Sequence, residues 1–316
     1  MEMNFYGVRG SCPTPISKEE YKDKVMGILD ATKQKIKEIG DSNISTADLY
    51  EALPDLLKRN IGGNTTCLCF TSKNDNKFIF DMGTGIRNLG NDLIPRAFGS
   101  VPLDLNIFMT HTHWDHIQGW PFFKPAYSPN VSVNFYSCID DLQERLERQQ
   151  WEDNFPLPFQ AMASKKTFTL LTEKQQIQIG DFQLTPFALK HPGSCTGYRI
   201  ADGDKAVFFC TDVELREDEL ESLSRWKETV GSADVLIIDA QYSTDEADKK
   251  IGWGHTSVKM AVKAGVKLGA KKVVLTHFEP DHTDASVMEI IHNEIHDYDH
   301  DIEVIVAYEG MTLSVN

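Results

Sequence analysis

Short runs with β-type patterning alternate with helical stretches along most of the chain. The runs cover residues 4–8, 66–71, 77–80, 103–109, 131–136, 182–189, 197–200, 206–210, 235–238, 272–275 and 302–307. Some alternate apolar and polar positions and others are wholly apolar, which predicts mixed sheets covered by helices. In residues 103–109, Leu103, Leu105, Ile107 and Met109 alternate with Asp104, Asn106 and Phe108. No repeat, low-complexity tract or Pro/Gly/Ser-rich linker divides the sequence, so residues 1–316 read as one α/β domain.

Two stretches read as helical insertions into that core. Residues 17–60 place Val25, Ile28, Leu29, Ile36 and Ile39 at helical spacing. Leu49, Leu53, Leu56 and Leu57 follow in a second helix that Pro54 should start late or kink. Packing is the expected role of both. Residues 138–165 run from a charged helical segment, 141–150, into Trp151, Phe155, Pro156, Leu157, Pro158 and Phe159. That segment reads equally as ordinary loop packing or as a lid over a pocket.

The 316 residues are 41% apolar, 10% aromatic and 25% charged, which supplies a large core and does not resemble a disordered chain. Lys and Arg total 32 against 47 Asp and Glu, a formal charge of −15 with no basic run to offset it. Long nucleic acids and anionic membranes are held mainly by basic side chains, so neither is expected as a partner. A small anionic substrate at a metal stays compatible with this charge. The N-terminus lacks a basic region followed by an apolar run, and no apolar stretch approaches the ~20 residues that span a bilayer. A cytoplasmic location is expected. Cys12, Cys67, Cys69, Cys138, Cys195 and Cys210 are scattered without metal-knuckle spacing and read as free thiols, with Cys67 and Cys69 on one face of a strand.

The candidate chemistry starts at residues 110–116, directly after a strand. His111, His113, Asp115 and His116 put three imidazoles and a carboxylate within six residues, a metal-binding pattern. Two His one residue apart can point into one site at a strand end, and the Asp and His beyond them can turn toward a neighbouring position. The spacing suggests two adjacent metals. Further candidates lie just past other apolar strands: His191 after 187–189, Asp212 after 207–210, and His277 after 273–275. Strand ends of an α/β sheet gather at one edge, where ligand crevices form.

In the order of these motifs the chain resembles the metallo-β-lactamase superfamily over nearly its whole length apart from the two insertions. The resemblance implies an αββα sandwich. It implies that His111, His113 and His191 bind one metal, that Asp115, His116 and His277 bind the second, and that Asp212 bridges them. A His/carboxylate set suits Zn²⁺, and Mn²⁺ or iron also accept it. Asp81, ahead of Met82, Gly83, Thr84 and Gly85, takes the position of a supporting aspartate, either orienting a ligand or making a local turn. Asp239 invites the same two readings, and neither is expected as a ligand.

Residues 252–257, Gly-Trp-Gly-His-Thr-Ser, look like the His-containing motif of the ribonuclease Z and phosphoribosyl cyclic phosphodiesterase branch. By that resemblance His255 assists the leaving oxygen or the phosphate and is no primary ligand, so Asp115 and His255 are the catalytic candidates. Residues 7–11 and 62–65 are similar to a bacterial group of such proteins. Arg9 and Asn64 there could reach a phosphate, although turn geometry explains the glycines equally well. No basic, Gly/Pro-rich arm of the kind that grips transfer RNA is present. The expected function is a dinuclear metal-dependent phosphodiesterase acting on a small, linear or cyclic, phosphodiester, with His255 protonating the leaving alkoxide. The alternatives are transfer RNA 3′ processing, thioester or lactone hydrolysis, and metal sensing without turnover. Related proteins often dimerise, so the resemblance also admits a homodimer. His292, His296 and His300 read as a solvated helix face.

Overall fold

Alternation along the strands decides which layer each side chain enters. In a computed structural model that describes residues 1–40 and 44–315, the strands are β1 Glu2–Gly7, β2 Cys67–Thr71, β3 Lys77–Phe80, β4 Leu103–Phe108, β5 Val131–Ser137, β6 Lys165–Leu170 and β7 Ile177–Ile179. They continue with β8 Phe182–Leu189, β9 Cys195–Asp202, β10 Lys205–Cys210, β11 Val235–Asp239, β12 Lys272–Thr276, β13 Glu303–Val306 and β14 Thr312–Ser314. Among the described residues they form two sheets, ordered β14-β1-β2-β3-β4-β5-β6 and β13-β12-β11-β10-β9-β8-β7. Pairing is parallel from β3 to β6 and from β10 to β13, and antiparallel elsewhere. Mixed sheets are thus observed as expected.

In β2 and β3, Leu68, Phe70, Phe78 and Phe80 join the layer between the sheets, while Cys67, Cys69 and Ile79 face the helices behind the first sheet. Phe80 meets Tyr198 and Phe209 of the second sheet with ring centroids 5.5 and 5.4 Å apart. Helix Ile86–Ala97 packs behind the first sheet, and helix Val258–Leu268 behind the second. These four layers are the αββα sandwich. All six cysteines are free, and only Cys12 is exposed.

Residues 17–60 differ in part from expectation. Ser17 caps helix Lys18–Ile39 in a capping box, and Pro54 divides the second helix into Thr46–Glu51 and Asp55–Lys58. None of the residues in Lys18–Ile39 is buried, and Met26, Leu29 and Ile39 are exposed, so this helix rests on the domain without entering its core. In the second stretch, Phe159 is 5% exposed and lies 6.0 Å from Trp120 and 6.3 Å from Phe168. Phe155 packs edge-on against Phe122 at 5.5 Å, and Trp151 is exposed. Phe159 is therefore core and not a mobile lid. His292 and His296 are exposed at the end of helix Asp284–Ile295, as a solvated face requires. Among the described residues no helix is long and apolar enough to cross a membrane.

Candidate metal centre

Three strands end in a backbone conformation that L-residues seldom adopt. Asp81 after β3, Asp212 after β10 and His277 after β12 have φ of 59°, 60° and 61°. Such left-handed residues cost on the order of 1–3 kcal/mol and persist where the surroundings over-determine them. Each break interrupts the face-to-face alternation of its strand and turns a polar side chain along the sheet edge. His111 follows β4 and His191 follows β8 at the same edge.

There the seven candidate ligands converge as two clusters that share one carboxylate. His111, His113, His191 and Asp212 have ligating atoms within 4.8 Å of one another, as do Asp115, His116, Asp212 and His277. Asp212 Oδ2 lies 3.5 Å from His111 Nε2 and 3.8 Å from His191 Nε2, and Oδ1 lies 3.2 Å from His116 Nε2 and 3.1 Å from His277 Nε2. His113 Nδ1 approaches His191 Nε2 at 3.1 Å. His111 Nε2 and His116 Nε2 are buried without a hydrogen-bond partner. Orphaned imidazole nitrogens aimed at carboxylates, in two four-donor sets, fit a pair of divalent cations.

Surrounding groups fix which nitrogen each ring presents. Asp81 is fully buried and accepts from the Thr110 N–H, from Thr110 Oγ1 and from His116 Nδ1, each at 2.8 Å. Because the Thr110 hydroxyl proton is used on Asp81, its oxygen accepts from His111 Nδ1 at 3.0 Å. Asp81 thereby orients both His111 and His116, the orienting role among its two readings. His191 Nδ1 donates to the Gly254 carbonyl at 2.9 Å, and His255 Nδ1 donates to Asp239 Oδ2 at 2.6 Å. Asp239 takes the corresponding orienting role for His255. The His255 ring stands 5.0 Å from His277 and 5.3 Å from His191.

Without a cation the two clusters differ electrostatically. Burial lowers the pKa of His111, His113 and His191, so these rings are neutral near pH 7. Burial opposes charge on His116 and His277 as well, but Asp212 and Asp115 outweigh it. His116 is raised well above its ordinary value and His277 is pushed up to about 9. Burial likewise opposes ionisation of Asp115 and Asp212, yet the facing imidazoles hold both below the usual carboxylate range.

The sequence profile of the beta-lactamase superfamily domain matches residues 76–278, a span that contains both clusters. The chain belongs to the beta-lactamase superfamily. It is an enzyme of the hydrolase type. Over 68% of its length this superfamily member is 22% identical to ribonuclease BN of Cronobacter sakazakii, covering 83% of that protein. Over 60% of its length it is 29% identical to ribonuclease Z of Pyrobaculum aerophilum, covering 73% of it. Its fold is similar to the metallo-beta-lactamase fold protein YhfI of Bacillus subtilis, with a TM-score of 0.61 and 17% identity over 99% of this chain and 98% of that one.

Two sequence expectations fall on other partners in this superfamily member. Arg9 is 3% exposed and spends its guanidinium on the carbonyls of Gly62, Glu279 and His282 and on Asp284. Asn64 binds Glu309 through both its backbone and side-chain nitrogens. Both are structural clamps and neither reaches toward a phosphate. The glycine-rich opening instead serves Asp115, whose Oδ2 accepts the Ser11 N–H at 2.8 Å, with Ser11 at φ 60°. Glu214 was not legible either: its Oε2 accepts the N–H groups of Gly252 and Gly254 at 2.7 and 3.1 Å and so braces the loop that carries His255. Glu214 lies two residues past Asp212 with no motif of its own, so the sequence does not mark it.

Proposed function

We propose that this chain is a dinuclear metal-dependent phosphodiesterase acting on a small, linear or cyclic, phosphodiester. The observation that carries the reading is Asp212, a buried carboxylate shared between two donor sets, with the His255–Asp239 pair against their edge. In this reading His111, His113 and His191 hold one ion, Asp115, His116 and His277 the other, and Asp212 both. The His/carboxylate donors favour Zn²⁺. Bound divalent ions supply electrostatic stabilisation of the phosphoryl group and activation of water. Asp115, fixed by the Ser11 N–H, completes the second donor set next to the reacting centre. His255, with Nδ1 committed to Asp239, offers Nε2 to protonate the departing alkoxide. The formal charge of −15 and the absence of a basic arm favour a small diester over a long RNA.

The similarity to proteins named ribonuclease Z and BN supports phosphodiester chemistry, and it favours transfer RNA 3′ processing as the second reading. One panel separates them. The protein, stripped with chelator and reloaded with Zn²⁺, is assayed on bis-p-nitrophenyl phosphate, a cyclic mononucleotide, a precursor transfer RNA, a thioester and a lactone. Zn-dependent cleavage of the small diesters is the expected result. Cleavage of the precursor alone promotes the second reading, and turnover of only the thioester or lactone removes phosphodiester chemistry.

A further inference from the structure

Beside the candidate metal centre lies a groove of about 710 Å³, lined in part by Thr112, Trp114, Arg145, Arg148, Gln149 and Asn154. Thr112 and Trp114 alternate with His111, His113 and Asp115, so one loop supplies both the groove wall and the candidate ligands. The other wall comes from helix Leu142–Gln149 and the residues after it, the segment whose Phe159 is packed into the core. This volume is that of a small-molecule site and exceeds what a single diester phosphate occupies.

The lining has a definite chemistry. Trp114 is 83% exposed, an unusual position for a large ring, and it stands where a flat ligand can stack. Arg145 is locked: its Nε lies 2.7 Å from Asp141 Oδ1 and its Nη1 donates to Thr112 Oγ1 at 3.0 Å, tying the helix to the ligand loop. Arg148 is held loosely, 4.0 Å from both Asp141 and Glu144, with its side chain 47% exposed. A guanidinium in that state can re-pair with an incoming phosphate as a bidentate donor. Asp153 also lines the groove, and Asp141 and Glu144 already neutralise the two arginines. An incoming phosphate must therefore displace a carboxylate from Arg148, which leaves room for one such group and not for a phosphate chain.

We infer that the groove is a subsite for the part of the substrate away from the scissile bond, stacking a nucleobase-like heteroaromatic ring on Trp114 and holding one further phosphate on Arg148. The inference rests on the phosphodiesterase reading and narrows its substrate to a phosphorylated nucleotide diester. The test is calorimetric titration of the Zn-loaded protein with thymidine 3′,5′-bisphosphate, thymidine 5′-monophosphate and inorganic phosphate. The bisphosphate should bind at least tenfold more tightly than the monophosphate, and the monophosphate at least tenfold more tightly than inorganic phosphate. Trp114→Ala should abolish the second margin while Trp114→Phe preserves it, and Arg148→Gln should abolish the first alone. Bound Zn²⁺ is counted in every variant. A bisphosphate that binds no better than inorganic phosphate overturns the subsite, as does an equal loss for all three probes in Arg148→Gln, a substitution at an exposed position. If the expected order holds yet no phosphodiester is cleaved, the subsite stands and the phosphodiesterase reading fails. If diesters are cleaved without that order, only the subsite falls.

Discussion

His255 Nδ1 donates to Asp239 Oδ2 at 2.6 Å while the same ring lies nearly parallel to His277, 5.0 Å away. The carboxylate fixes one tautomer and leaves Nε2 as the only nitrogen able to act on substrate. A general acid matters most when the leaving group is a poor one. His255→Ala should therefore lower kcat by about 10²–10⁴ on an alkyl diester and far less on a p-nitrophenyl diester, with both ions retained. Asp239→Asn should show the same leaving-group dependence at smaller amplitude. Equal losses on both substrates would exclude His255 as the acid.

The opposed pKa directions of the two clusters make metal uptake pH-dependent in one of them. His116 and His277 are raised, so they carry protons at pH 7.5, and a cation binding there must displace them. The lowered His111, His113 and His191 have none to lose. Calorimetry in two buffers of different ionisation enthalpy should find one ion binding with little proton release and the other with close to two. The release should shrink as pH rises through about 9, the value for His277. The same sign governs the metal-free fold: a raised histidine stabilises fully below its unfolded pKa of about 6.5 and ceases to do so as pH rises through the folded value. Proton release that is the same for both ions would contradict this assignment.

Asp81 accepts three hydrogen bonds in a fully buried position and so links rings from both clusters. Asp81→Ala leaves the Thr110 and His116 donors without a partner, at about 1–3 kcal/mol for each buried group. Metal affinity should drop about 10–100-fold at both positions, the usual effect of removing a partner that orients a ligand. Competition with a fluorescent chelator measures it. Loss confined to one position would show that the Thr110 relay to His111 carries no weight.

The edge-on position of the seven candidate ligands was legible because each follows an apolar strand, and strand ends share an edge. Three strands were not legible. The β6 edge strand reads Lys-Lys-Thr-Phe-Thr-Leu and is mostly exposed, β7 has three residues, and β14 is Thr-Leu-Ser, so none has a full apolar face. Hydrogen bonding from backbone groups was equally hidden. Ser11 reaches Asp115 through its N–H, and Gly254 holds His191 through its carbonyl, contacts to which no side-chain pattern points. Arg9 misled for a related reason: a guanidinium beside glycines suits a phosphate and a set of carbonyls alike, and only the fold decides between them.

Phe159 illustrates how a segment of mixed character divides. Its ring is buried between Trp120 and Phe168. Phe159→Ala should cost about 3–5 kcal/mol in denaturant unfolding, as truncation of a core aromatic does, and leave KM for a small diester unchanged. A raised KM at unchanged stability would restore the lid reading.

Gly254 tests whether the two clusters fill independently. It has φ 91°, and a Cβ there would stand 2.1 Å from His191 Nδ1 and 2.4 Å from Pro192 Cδ, inside any tolerable contact. Its carbonyl accepts the His191 proton and its N–H is held by Glu214. Gly254→Ala must therefore push His191 out of line, whereas Asp115, His116 and His277 do not touch this loop through any bond to Gly254. The expected variant binds one ion per chain instead of two, by elemental analysis of protein reloaded with Zn²⁺ and desalted, and loses diester hydrolysis. Glu214→Gln retains an acceptor for the two glycine N–H groups and should keep both ions, with affinity at the His191 position reduced only several-fold. If Gly254→Ala holds two ions at undiminished affinity, the His191 ring is not a ligand whose aim this loop controls. If instead it loses both, the shared Asp212 carboxylate makes filling of the two positions cooperative, and the clusters behave as one site.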